Sequence, residues 1–151
     1  MPKHTFYLVT YDRGLHPLTH APKTHHWAYF LELDAATAPE PTGVIFQLRG
    51  MPGGFYYPGP EEDMGISQIG APGELRERLE IGEVDVKDQG GISGVVDKID
   101  AVLKKVGVVK DEGAAWNCQD WAMGGLEGLK MLRVVYESLN EEGIKGWLRE
   151  R

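Results

Sequence analysis

One cysteine, Cys118, and a histidine far upstream, His26, are the residues whose types could carry chemistry in this chain. A cysteine thiolate is a nucleophile, and an imidazole within reach can take its proton and later return it to a leaving group. Cys118 lies in Asn117-Cys118-Gln119, where an amphipathic segment begins. The start of a helix favours thiolate over thiol. As the only cysteine it can form neither an intrachain disulfide nor a multi-cysteine zinc site. Most lone cysteines are small buried hydrophobes, and that reading of Cys118 stays open beside the catalytic one.

His26 opens His26-Trp27-Ala28-Tyr29-Phe30, in a segment that is otherwise core-like. With the period of two of a strand, His26, Ala28, Phe30 and Glu32 face one way, and Trp27, Tyr29, Leu31 and Leu33 the other. Neighbours on a strand point to opposite faces, so only one of His25 and His26 is expected to reach a helix laid on the sheet. On the next strand Gln47 would stand opposite His26, flanked by Ile45 and Arg49. An amide there can hold an imidazole in one tautomer, as the third member of a triad does. An ordinary polar residue on a half-exposed face fits the pattern equally well. The other histidines are His4, His16, His20 and His25. The spacing of His16, His20 and His25 lacks a zincin pattern and the helix it requires, so neither a metal nor a cofactor is expected.

The elements that must position these residues follow from hydrophobic period and turn chemistry. Thr5 to Tyr11, His26 to Leu33 and Gly43 to Arg49 read as strands, the second and third as hairpin partners. Residues 12–24 and 34–42 read as loop. The stretch 50–60 is rich in glycine, proline and aromatics and too irregular for a regular element. Its Phe55, Tyr56 and Tyr57 could wall a cleft or cover the sheet edge. A further strand is expected within Arg76 to Val86. From residue 91 the period becomes helical: Val95, Val96, Ile99, Val102, Leu103 and Val106 form a stripe, with Ser93 as N-cap and Gly107 as C′ residue. A second helix runs from Trp116 or Asn117 to about Leu139, with Cys118, Trp121, Ala122, Gly125, Leu129, Leu132, Tyr136 and Leu139 inward. Gly124, Gly125 and Gly128 each cost such a helix roughly 1 kcal/mol relative to alanine, which implies close packing against the sheet. Beyond Gly143 a last short helix, Ile144 to Arg151, completes an α+β domain of antiparallel sheet and helices.

Composition narrows the function classes. The chain has 151 residues, a formal net charge of −7, 42% apolar and 26% charged residues. Those values suit one soluble domain, residues 1–151, with a core of its own. No basic stretch is dense enough to follow a phosphate backbone, so nucleic acid is not an expected partner. No apolar run approaches the roughly 20 residues of a membrane span. The N-terminal sequence lacks the apolar region of a signal peptide, and with a single cysteine the expected location is cytoplasmic.

His26-Trp27-Ala28-Tyr29-Phe30 and Asn117-Cys118-Gln119-Asp120-Trp121, in that order, resemble the circularly permuted papain-like superfamily. It includes the NlpC-type peptidases, the lecithin:retinol acyltransferase-like proteins and the PPPDE-type deubiquitinases. The chain is also similar to small fungal proteins with a histidine-tryptophan strand and an Asn-Cys-Gln-(Asp/Asn)-Trp helix start. The resemblance covers two short motifs and the strand Val44-Ile45-Phe46-Gln47-Leu48. It implies a permuted papain-like fold with a nucleophile at a helix N-terminus, and selects His26 over His25. Cys118 would be the nucleophile, His26 the base and acid, and Gln47 the orienting group. Trp27, Trp116, Asn117, Gln119, Phe55 and Tyr56 would line the binding cleft. Gln47 stands where many relatives have histidine, Asp120 and Trp121 depart from the usual residues, and the connection between the two strands is longer. The implied activity is thiol-dependent hydrolysis or acyl transfer on an amide, peptide or thioester carbonyl, with phospholipid disfavoured. Two other readings stand beside it: a non-catalytic module binding a peptide or small metabolite in the same cleft, and an interaction protein whose Cys118 is core.

Overall fold

A computed structural model describes residues 3–12, 26–34, 42–49, 54–66, 74–85, 90–108 and 118–149. β-Branched and aromatic runs form β1 (Lys3–Asp12) and β2 (His26–Asp34), and a shorter apolar run forms β3 (Thr42–Phe46). β4 (Glu61–Gly65) and β5 (Glu74–Asp85) complete one antiparallel sheet of order β4-β3-β2-β1-β5. The helices are α1 (Gly91–Lys104), α2 (Cys118–Gly124), α3 (Leu126–Met131) and α4 (Glu141–Arg149). The fold is α+β.

Alternation along the strands splits the core in two. Phe6, Leu8, Trp27, Tyr29, Leu31, Val44 and Phe46 join Val95, Ile99, Leu103, Trp121 and Leu129 from the helices in the larger cluster. Val9, Tyr11, Ala28, Phe30, Ile45 and Ile66 form a smaller cluster from the other face. α2 lies on β2, where the Tyr29 hydroxyl donates to the Ala122 carbonyl and the Tyr29 and Trp121 rings sit 6.3 Å apart.

Several elements depart from the sequence-based expectation. The acidic run beginning at Glu61 carries no strand signal, yet forms the edge strand β4, where charge is tolerated and blunts further pairing. The β3 ladder stops at Phe46, and Arg49 forms an isolated bridge with Tyr56 instead. α1 starts at Gly91, after Gly90 in a left-handed conformation (φ 82°), and ends before Gly107, so neither Ser93 nor Gly107 is its cap. The long second helix does not form. α2 closes at Gly124 and α3 at Met131. Arg133, at φ 63°, then turns the chain, with its N–H on the Lys130 carbonyl and the Val134 N–H on the Leu129 carbonyl. These are the two bonds of a Schellman motif, with arginine where glycine is usual. α4 starts at Glu141, with the Asn140 side chain capping the Gly143 N–H at 2.7 Å.

The helical glycines face α1 rather than the sheet. A Cβ on Gly125 would meet Leu103 Cδ2 at 2.7 Å, and one on Gly128 would meet Val102 Cγ1 at 2.6 Å. Among the described residues no helix is long and apolar enough to cross a membrane.

Candidate functional site

Among the described residues β2 begins at His26 and α2 at Cys118. The packing of α2 on β2 sets Cys118 against the first peptide of β2. The Trp27 N–H donates to Cys118 Sγ at 3.5 Å. The sulfur therefore rests on the His26–Trp27 peptide, within about 6 Å of the His26 Cα by standard backbone dimensions.

Trp27 turns into the helix-covered cluster, so alternation gives His26 the other face, where the Tyr11 ring centroid is 6.2 Å from the imidazole. The expectation that His26 is the neighbour turned to the helix is not met, because Trp27 takes that face and His26 the opposite one. Cys118 touches the first peptide of the strand from the helix-covered face, and the imidazole leaves that peptide on the opposite face. His25 lies outside the described residues.

His26 Nε2 is 2.8 Å from Gln47 Oε1. A carbonyl oxygen only accepts, so the ring nitrogen is the donor. The amide is held in turn: Gln47 Nε2 donates to Glu61 Oε2 at 3.1 Å, and Arg49 Nε donates to the same oxygen at 3.1 Å. With its proton on Nε2, neutral His26 presents Nδ1 as the basic nitrogen. Cys118, His26 and Gln47 are 4%, 8% and 2% exposed, as buried as the core around them.

The expected cleft residues fall into different places. Trp27 and Phe55 are buried in the larger cluster. The Tyr57 hydroxyl donates to Asp100 Oδ1 at 2.9 Å, and its ring lies 5.3 Å from that of Trp121. Burial, with Asp100 alongside, pushes the Tyr57 phenol above its usual range. Tyr56 projects outward while its backbone exchanges two hydrogen bonds with Arg49, at 2.8 and 2.9 Å. Tyr57 thus ties this segment to α1 and α2, with Tyr56 alone of the three turned to solvent. Gln119 is half-buried beside Cys118, whereas Asn117 and Trp116 lie outside the described residues.

Sequence reasoning missed Glu61 and Tyr11, and placed Arg49 only as a neighbour of Gln47 on one face. Glu61 reads as one of several solvated loop charges, and only the β3–β4 pairing, Ile45 opposite Glu61, carries it to Gln47. Tyr11 reads as a core residue, and its hydroxyl donates to the Ile66 carbonyl. His4 also has a structural partner, with its Nδ1 3.0 Å from the Glu32 carbonyl oxygen. Among the described residues no three His, Cys, Asp or Glu side chains are grouped to hold a metal, and His16 and His20 lie outside them.

No curated protein and no solved structure matches the chain. A family model described as a family of unknown function (DUF6540) matches residues 6–135. That span takes in β2 to β5, α1 to α3 and all of Cys118, His26, Gln47 and Glu61, and the chain belongs to this family, DUF6540.

Proposed function

We propose that the protein is a papain-like thiol enzyme, a hydrolase or acyltransferase acting on an amide, peptide or thioester carbonyl. One observation carries the reading: Cys118 Sγ rests on the His26–Trp27 peptide while Gln47 holds the proton of His26 on Nε2. In the cycle, Nδ1 takes the thiol proton and the thiolate adds to the carbonyl carbon. Backbone N–H groups at the start of α2 are the candidates to hold the oxyanion. Collapse of the adduct breaks the carbonyl–leaving-group bond. The departing amine or thiolate takes the proton from Nδ1, and an acyl thioester remains on Cys118. Water, or an acceptor amine or hydroxyl, then loses a proton to Nδ1 and adds to the thioester carbonyl. Release of the acid or the new acyl product returns that proton to sulfur.

The burial of the thiol favours a second reading, a non-catalytic papain-like module that binds a peptide or small metabolite in the same cleft. Iodoacetamide labelling of the full chain against pH separates the two. An activated Cys118 labels with a midpoint below the roughly 8.5 of a free cysteine. His26→Ala restores that value and His25→Ala leaves the low midpoint in place. Turnover of an acyl thioester should be lost in Cys118→Ala. Labelling that rises only above the free-cysteine value, or only on unfolding, would remove the enzyme reading.

A further inference from the structure

We propose that Glu61, anchored by Arg49, is a positioning residue of this site: it sets the orientation of the Gln47 amide and thereby the ring nitrogen of His26 that carries the proton. The consequence for reactivity rests on the thiol–imidazole reading above; the orientation itself does not.

A primary amide has one accepting end and one donating end, and rotation by half a turn exchanges them. Facing an imidazole alone, it can present either. The NH2 end would accept no proton from the ring, and would favour the tautomer with the proton on Nδ1. That tautomer leaves no free lone pair on Nδ1, the nitrogen assigned the base role in the reading above. An ionised carboxylate removes the ambiguity because it only accepts. Glu61 Oε2 takes Gln47 Nε2–H at 3.1 Å, which leaves Oε1 to meet His26 at 2.8 Å.

The fold supplies Glu61 through register. Glu61 pairs with Ile45, and the residues two and four beyond Ile45 are Gln47 and Arg49. One carboxylate at the start of β4 therefore reaches both. Arg49 Nε shares Oε2 with the amide, and its Nη2 pairs with Oε1. This fork holds the carboxylate in place and offsets its charge, so that Glu61 orients the amide without placing a bare anion beside the imidazole. Exposure falls inward along the chain of contacts, from 45% at the Arg49 side chain and 20% at that of Glu61 to 2% at Gln47. The Glu61 pair thus closes the solvent side of a buried relay.

Nitrogen-15 NMR of the imidazoles in the full chain, with His26 assigned by His26→Ala, reads the tautomer directly. The wild type should hold its proton on Nε2. Glu61→Ala should populate the Nδ1–H form, with Cys118 alkylation at pH 7 falling about fivefold, the equivalent of one lost hydrogen bond. Glu61→Gln keeps an oxygen that accepts from Gln47 and should restore both readouts. A wild-type ring protonated mainly on Nδ1 would overturn the proposal without any variant, so it stays testable if Glu61→Ala does not fold. A folded Glu61→Ala with unchanged tautomer and rate would overturn it as well. If the tautomer follows Glu61 but Cys118 is unreactive in the wild type, the enzyme reading fails and the positioning role stands.

Discussion

An amide in the third position of a thiol–imidazole pair does different work from a carboxylate. It fixes the ring and its tautomer, but it cannot neutralise the imidazolium that forms when the thiol proton is taken. Gln47→Ala should therefore lower alkylation of Cys118 at neutral pH about fivefold, the worth of one hydrogen bond. That loss falls well short of His26→Ala or Cys118→Ala. A half-exposed strand position would make such a change harmless to stability, but Gln47 is buried and bonded on both ends of its amide. Its removal leaves His26 and Glu61 each short of a partner, at a cost of about 1–3 kcal/mol. Urea unfolding of the variant checks the second number, and labelling kinetics the first. Unchanged kinetics would reduce the site to a dyad.

At the scale of the element, the break after α3 is what the helical period does not foresee. The apolar spacing through Leu132, Tyr136 and Leu139 continues, but the chain leaves the helix at Arg133 so that the Tyr136 N–H can reach the Ile81 carbonyl of β5 at 2.8 Å. An arginine at φ 63° costs about 1–2 kcal/mol that glycine would not. Arg133→Gly should accordingly raise the unfolding free energy by about 1 kcal/mol in urea; destabilisation would mean that the arginine side chain contributes more than the backbone strain costs. Where this segment crosses β5, Gly82 leaves room for it. A Cβ there would stand 1.7 Å from the Val134 carbonyl oxygen, a backbone atom that cannot simply rotate away. Gly82→Ala should lower stability by about 3 kcal/mol and detach the segment, seen as faster amide exchange at Tyr136.

Over the whole molecule, the site is assembled from β2, β3, β4 and α2, elements that run from His26 to Cys118. No short segment holds the pair by itself. On the proposed thiol-enzyme reading, the activation of Cys118 should therefore vanish in one step with the fold. Labelling at pH 7 measured along a urea titration should fall to the free-cysteine rate at the midpoint of the circular-dichroism transition, as expected of a two-state domain. Enhanced labelling that persists into the unfolded chain would mean that local sequence, not assembly, activates the thiol.

What the sequence by itself determined is what short-range pattern encodes. β1, β2 and the helical stripe of α1 all follow from period and composition, because burial on one face imposes that period directly. Cys118, His26 and Gln47 stand out by residue type and order. Alternation puts His26 and Gln47 on one face, although the register sets Ala28 rather than His26 opposite Gln47, which lies beyond the end of β3. Tertiary structure decided the rest. β4 exists because β3 offers an edge, not because its acidic residues favour a strand. The second helix breaks because a competing bond to β5 outweighs a weak apolar spacing. Glu61 and Arg49 enter the site only through the register of two strands, which depends on long-range pairing and leaves no mark on the residues themselves. The glycines of α2 and α3 signal close packing in the sequence. That the neighbour is α1, through Val102, Leu103 and Val106, is set by how the helices share one face of the sheet.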